Sequence, residues 1–166
     1  VIRAPITIIL LGTPTPFARM RLSRGGVHFV PTEQRNATAA LRYEAQAVMQ
    51  LLGAALFDEP LSLHLLAEFP VPASWSKKKR DRAILGEVRP AGRPDIDNLY
   101  KLAADAMSGI VYRDDALVVE CWLRKVYGVQ PKLVVTVAPI FAPAAVKPPR
   151  ANAAHRPGEL PLPVTA

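Results

Sequence analysis

The stretch Asn98-Leu99-Tyr100-Lys101-Leu102-Ala103-Ala104-Asp105-Ala106-Met107-Ser108-Gly109 runs, through an Arg113-Asp114-Asp115 corner, into Leu117-Val118-Val119-Glu120-Cys121-Trp122-Leu123-Arg124. Its hydrophobic period changes on the way. Leu99, Leu102, Ala103, Ala106 and Met107 fall at i, i+3, i+4, i+7 and i+8, which is one apolar stripe of a helix, and Gly109 is a suitable stop. Leu117, Val119, Cys121 and Leu123 then alternate with Val118, Glu120, Trp122 and Arg124, the period of two that a strand requires. A helix over 98–107 followed by a strand is therefore predicted, and with it a mixed α/β fold.

Working outward, Ile6-Thr7-Ile8-Ile9-Leu10-Leu11 is a β-branched apolar run closed by Gly12, Pro14 and Pro16, and reads as a strand. Residues 13–31 are loop-like, with a short strand over 27–30. Thr32 is placed to cap a long helix whose stripe is Leu41, Ala45, Val48, Met49, Leu52 and Leu56. Residues 61–69 read as a well-buried strand. Residues 133–137 read as a last strand, paired with 117–124 as a hairpin across the 128–131 turn. Between 70 and 94 the chain is polar, basic and broken by prolines, so it reads as a loop. From Pro139 the pattern dissolves into Pro and Ala, and 141–166 is expected to be a disordered tail. The sum is one mixed α/β domain over 1–140, with two helices packed on a mixed sheet of about four or five strands.

The chain has 166 residues, half of them apolar, with a net charge of +7 and a pI near 9.9. Such a balance points to a polyanionic partner, nucleic acid before an anionic membrane. No apolar run approaches the roughly 20 residues of a membrane span, and the N-terminal stretch lacks the pattern of a signal peptide, so a cytoplasmic protein is expected. Cys121, the single cysteine, excludes an intrachain disulfide and a thiolate zinc cluster; its alternating apolar neighbours make it a buried core thiol. His28, His64 and His155 have no metal-ligand spacing, and His64 reads as a structural residue in an apolar strand.

Asp95 and Asp97 are two residues apart, so in extended chain their carboxylates share a side. Pro94 disfavours helix at Arg93, which puts Asp97 at or beside the start of the 98–107 helix. Lys101 and Asp105 follow on the face opposite the apolar stripe, and Asp114-Asp115 opens the next strand. Magnesium takes oxygen ligands and keeps waters, so a few converging carboxylates suffice to hold it, and a lysine beside them can stabilise charge on a phosphate. Against this stands an ordinary reading, in which the aspartates cap a helix, Lys101 is an i, i+4 partner and Asp114-Asp115 is a turn. The basic run Lys77, Lys78, Lys79, Arg80 and Arg82, with Arg93 beyond it, is either a solvated charged loop or, beside the acidic pair, a candidate phosphate grip. Trp75 before it could stack on an unpaired base or anchor the loop. Phe17, Arg19, Arg21 and Arg24 form a second candidate DNA surface; the exposed apolar positions Val118 and Trp122 are a dimer contact or a surface covered by the tail; and Glu68 is a possible extra carboxylate.

Asp95-Ile96-Asp97-Asn98-Leu99-Tyr100-Lys101, then Asp105-Ala106, then Val111-Tyr112-Arg113-Asp114-Asp115-Ala116-Leu117-Val118-Val119 closely resembles the RusA family of Holliday junction resolvases. That family carries Asp-x-Asp-Asn-x-x-Lys at a helix start, then a hydrophobic residue, an Asp-Asp pair and a Val-Val strand. The resemblance is specific over 88–127 and looser over 5–138. It implies that Asp95, Asp97 and Asp115 are the catalytic, metal-binding aspartates, that Asp114 is a less stringent member of the set, and that Lys101 is the catalytic lysine. It also implies Mg2+, with Mn2+ as a substitute, no small-molecule cofactor, and a homodimer that nicks two opposed strands of a four-way junction symmetrically. A two-fold dimer suits a two-fold substrate. The first loop departs from the family: Pro16-Phe17-Ala18-Arg19-Met20-Arg21 stands where many phage-type members have Pro-Lys-x-Arg-Pro-Arg.

Two other functions compete. A restriction-type nuclease would use Pro94-Asp95 with Lys125, but Leu123 stands where that pattern needs an acid. A basic nucleic-acid-binding protein without catalysis would use the aspartates only as caps and turns. A nuclease of other branched DNA is a further alternative.

Overall fold

The computed structural model describes residues 4–22 and 25–140. Arg24, His155 and the expected tail over 141–166 lie outside the described residues.

The strand β4 (Leu61–Pro70) is the axis of the fold. Its every second side chain, Leu61, Leu63, Leu65 and Ala67, is buried. On one side it pairs antiparallel with β6 (Lys132–Pro139), and β6 pairs antiparallel with β1 (Ile6–Leu11). On the other side it pairs parallel with β5 (Val118–Gly128), so the mixed sheet has the order β1-β6-β4-β5. A two-residue ribbon, β2 (Arg21–Leu22) with β3 (His28–Phe29), stands apart. Two helices, α1 (Thr32–Leu52) and α3 (Ile96–Met107), cover one face of the sheet. Leu41, Ala45 and Met49 of α1 and Leu99, Leu102, Ala106 and Met107 of α3 join Ile6, Ile8, Leu133, Val135 and Val137 in one core. Each large side chain buried there contributes about 1.5–3 kcal/mol, so the two apolar stripes and the alternating strands account for the layering.

Several expectations need correction. Among the described residues the main sheet has four strands, but three helices accompany it, because Lys77–Ile84 is a helix, α2. Ser76 caps it by accepting from Lys79 N at 3.4 Å, and lysine and arginine are good helix formers. Only Ala83 of α2 is buried, so no apolar stripe betrays the helix in the sequence. Trp75 packs edge-on against Tyr127, with ring centroids 5.2 Å apart, and Lys79 Nζ lies 3.8 Å over the Trp75 ring. That tryptophan therefore anchors α2 to β5.

β5 and β6 do not form a hairpin; β4 lies between them. The 128–131 connection must step over β4, about 10 Å at the usual strand spacing, and it passes close to Glu68. A β-carbon at Gly128 would overlap the Glu68 carboxylate, and Glu68 accepts from Gln130 N at 3.1 Å and pairs with Lys132 at 3.3 Å. Glu68 is thus held in this crossing, away from the aspartates. As the edge strand, β5 leaves Cys121 exposed rather than buried. His64 is exposed too, and stacks on Trp122 at 6.3 Å between centroids. Thr32 is the first helical residue of α1 and not its cap: Pro31 holds that position and no side chain caps the helix. Gly53, at φ 57, stops α1 before Leu56 can join its stripe.

Candidate active site

The chain enters α3 through the Arg89–Pro94 turn, whose Arg93–Pro94 peptide bond is cis. Lys125 of β5 reaches into this turn and donates to Gly92 O and to Pro94 O, both at 2.8 Å. Asp95 is the N-cap residue of α3, with φ −69 and ψ 146, yet its carboxylate makes no capping hydrogen bond. A capping aspartate turns its oxygens onto the N–H groups of the first turn, and Asp95 leaves them free. Asp97, in the first turn, has the favourable position of an anion near a helix N-terminus and finds no hydrogen-bond or ion-pair partner among the described residues. Both carboxylates are exposed. They line one open pocket with Arg89, Arg124 and Lys125, and Asp95 also borders a second one with Pro16, Phe17, Arg93 and Asn98.

One turn on, Lys101 pairs with Asp105 at 3.4 Å, and its Nζ lies 5.0 Å from the centroid of the Phe17 ring. Phe17 is brought there by backbone bonding: Phe17 N donates to Asn98 O at 2.9 Å, and Ala18 N donates to the buried Gln34 side chain at 2.9 Å. The first loop is thereby stapled to the N-terminal parts of both α1 and α3, and the exposed Arg19 follows directly. Arg21 lies on β2.

The acidic corner is held by different means. Phe57 N donates to Val111 O at 2.9 Å and Arg113 N to Phe57 O at 3.1 Å, and the Arg113 guanidinium pairs with Asp58. Asp114 accepts from Ala116 N at 2.8 Å and so caps the 3-10 turn Asp115–Leu117. The Asp115 carboxylate has no such duty and is exposed. Its charge is felt by Tyr100 of α3. Burial first, then a hydrogen-bonding contact with Cys121 and the negative charges of Asp115 and Asp105, push the Tyr100 hydroxyl up to about 12. Asp115 thus lies within electrostatic reach of Tyr100 in the middle of α3, while Asp95 and Asp97 sit at the start of the same helix.

Among the described residues, no three of His, Cys, Asp and Glu converge closely enough to form a metal cage. The donor set is instead a free, exposed carboxylate pair in an open pocket, with a third free carboxylate at the Asp115 corner. This fits a hard divalent cation that keeps part of its water and takes further oxygens from a phosphate; it does not fit a closed structural site. The candidate DNA contacts divide into groups. Lys77, Lys78, Lys79, Arg80 and Arg82 project from α2, which packs on β5; Arg82 pairs with Glu87 at 2.8 Å. Arg93 lines the pocket shared by Asp95 and Phe17. Lys125 stands outside the acidic pattern of the sequence, because Leu123 precedes it where a restriction-type site needs an acid. Its signal was there: it continues the Leu117, Val119, Cys121, Leu123 register, and a lysine on the helix-facing side of a strand needs acceptors.

The family model described as "Endodeoxyribonuclease RusA" matches residues 12–138. "Uncharacterized protein YqaN" of Bacillus subtilis (strain 168) is similar: it is 29% identical over 141 residues, covering 82% of this chain and 98% of that protein. The family match spans both the Asp95–Lys101 helix start and the Asp114-Asp115 corner, and the chain belongs to the endodeoxyribonuclease RusA family.

Proposed function

We propose that this endonuclease resolves four-way (Holliday) junctions by paired symmetric nicks, using Mg2+, with Mn2+ as a substitute, and acting as a homodimer. The observation that carries the reading is Asp95: it occupies a helix cap position with its carboxylate uncommitted, beside the equally free Asp97. In this reading Asp95, Asp97 and Asp115 hold the metal, and Asp114 supports the corner with a lesser share. A divalent cation held there would lower the pKa of a water and offset charge building on the phosphate. Lys101, one turn into α3, holds its ammonium where a non-bridging phosphate oxygen can accept from it, and the Phe17 ring and Asp105 restrain its side chain. The cations of α2, with Arg93, Arg19 and Arg21, grip the flanking phosphates and set the register of the junction arms. Residues 1–140 form the catalytic domain.

The test is a labelled synthetic four-way junction with Mg2+. The wild type should produce symmetric paired nicks. Asp95→Asn and Asp115→Asn should each lower the nicking rate by about 100-fold or more while junction binding stays equal or tightens, because a carboxylate without its metal repels phosphate. Junction binding with no nicking by the wild type would instead identify a non-catalytic binder, and cutting of flaps or forks alone would move the substrate to other branched DNA.

A further inference from the structure

We infer that Lys125 is a positioning residue for the acidic pair: it ties the Gly92–Pro94 turn to β5 and so fixes the direction from which Asp95 presents its carboxylate. This rests on the reading of Asp95 and Asp97 as metal ligands. An ammonium has three donors. Lys125 commits two of them, at 2.8 Å each, to carbonyls on either side of Arg93. No other side chain among the described residues bonds the backbone of this turn, and packing does little to hold it at Gly92, where a β-carbon would meet nothing within 4 Å. Pro94 has no N–H through which it could be held. The residue that follows is Asp95, so the tie lies one peptide from the proposed ligand. Lys125 is itself half-buried on the edge strand and lines the pocket that contains both carboxylates. The lysine that the restriction-type spacing rejects is therefore brought to the same aspartate through the backbone of the turn.

The sign of one measurement separates positioning from mere charge. A cation beside a cation-binding site weakens it by repulsion, so if charge were all, Lys125→Met would tighten metal binding. If Lys125 positions the pair, the loss of its two hydrogen bonds weakens metal binding, as removal of outer-shell partners commonly does by about 10-fold or more.

The experiment titrates Mn2+ into the full-length protein without DNA, following free Mn2+ by electron paramagnetic resonance. Lys125→Met should bind Mn2+ about 10-fold more weakly than wild type. Lys125→Arg, which keeps charge and donors, should recover most of the affinity. Should Lys125→Met fail to fold, Lys125→Gln, with a neutral amide donor, is expected between wild type and the Asp95→Asn variant. Mn2+ binding by Lys125→Met as tight as wild type or tighter overturns the inference, as does a wild type that binds no Mn2+. A wild type that binds Mn2+ in this Lys125-dependent way yet cuts no branched DNA upholds the inference and defeats the proposed function instead.

Discussion

Tyr112 shows how one buried side chain secures the corner that carries Asp115. It is fully buried, and its hydroxyl donates to Ala104 O at 3.0 Å, satisfying a carbonyl in the last turn of α3. Burial raises its pKa well above the ordinary tyrosine value, and Tyr100 is pushed up to about 12. A group whose folded pKa is raised stabilises the fold fully below its unfolded value, about 10 for tyrosine. That contribution is lost as pH climbs toward the folded value. Denaturant titrations at stepped pH should therefore show stability falling from about pH 10 upward, and less steeply in Tyr112→Phe. At neutral pH that variant should lose about 1 kcal/mol and keep its nicking activity. At the same scale, the role of Asp95 was ambiguous in the sequence. An aspartate before a helix commonly caps it, and only the tertiary structure shows that Asp95 makes no capping hydrogen bond.

The element with the greatest surprise is α2. A helix normally announces itself by an apolar stripe, and Lys77–Ile84 buries only Ala83; what makes it helical is a serine cap, straight-chain residues and the Trp75 anchor on Tyr127. Its place on the edge strand gives the basic run a rigid presentation. Lys79 is held over Trp75, which leaves Lys77 and Lys78 as the freer phosphate partners. Changing Lys77, Lys78 and Lys79 together to Ala should reduce the slope of log affinity against log salt for junction DNA by about 2. An unchanged slope in an equilibrium binding series would remove α2 from the DNA interface. By contrast α1 and α3 were legible from their stripes, and α3 starts only slightly earlier than its pattern suggests, at Ile96, because Asp97 and Asn98 in its first turn are polar.

For the whole molecule, the helices cover one face of the sheet and leave the other with His64, Leu66, Trp122, Val134 and Thr136 lining an open groove. Trp122 is 70% exposed there, and large exposed apolar side chains favour association. If the protein is the homodimer proposed above and this face joins its protomers, Trp122→Glu should give a monomer in sedimentation velocity and leave single-strand cuts in place of paired nicks. A dimer unaffected by that change would place the interface elsewhere.

What the sequence determined by itself was local: the apolar period of α1 and α3, the alternation of β4 and β6, the basic character, and the presence of the Asp95-x-Asp97 and Asp114-Asp115 motifs. These are legible because burial on one face imposes a period on neighbouring residues. The tertiary structure decided the strand order, the exposure of Cys121, the stapling of Phe17 to α3, the removal of Glu68 to the crossing, and the reach of Lys125 to the turn before Asp95. A period states which side of a strand is buried, but not which strand lies beside it. That choice depends on partners far along the chain. β4 and β6, each paired on both sides, lie inside the sheet, and β1 and β5 form its two edges.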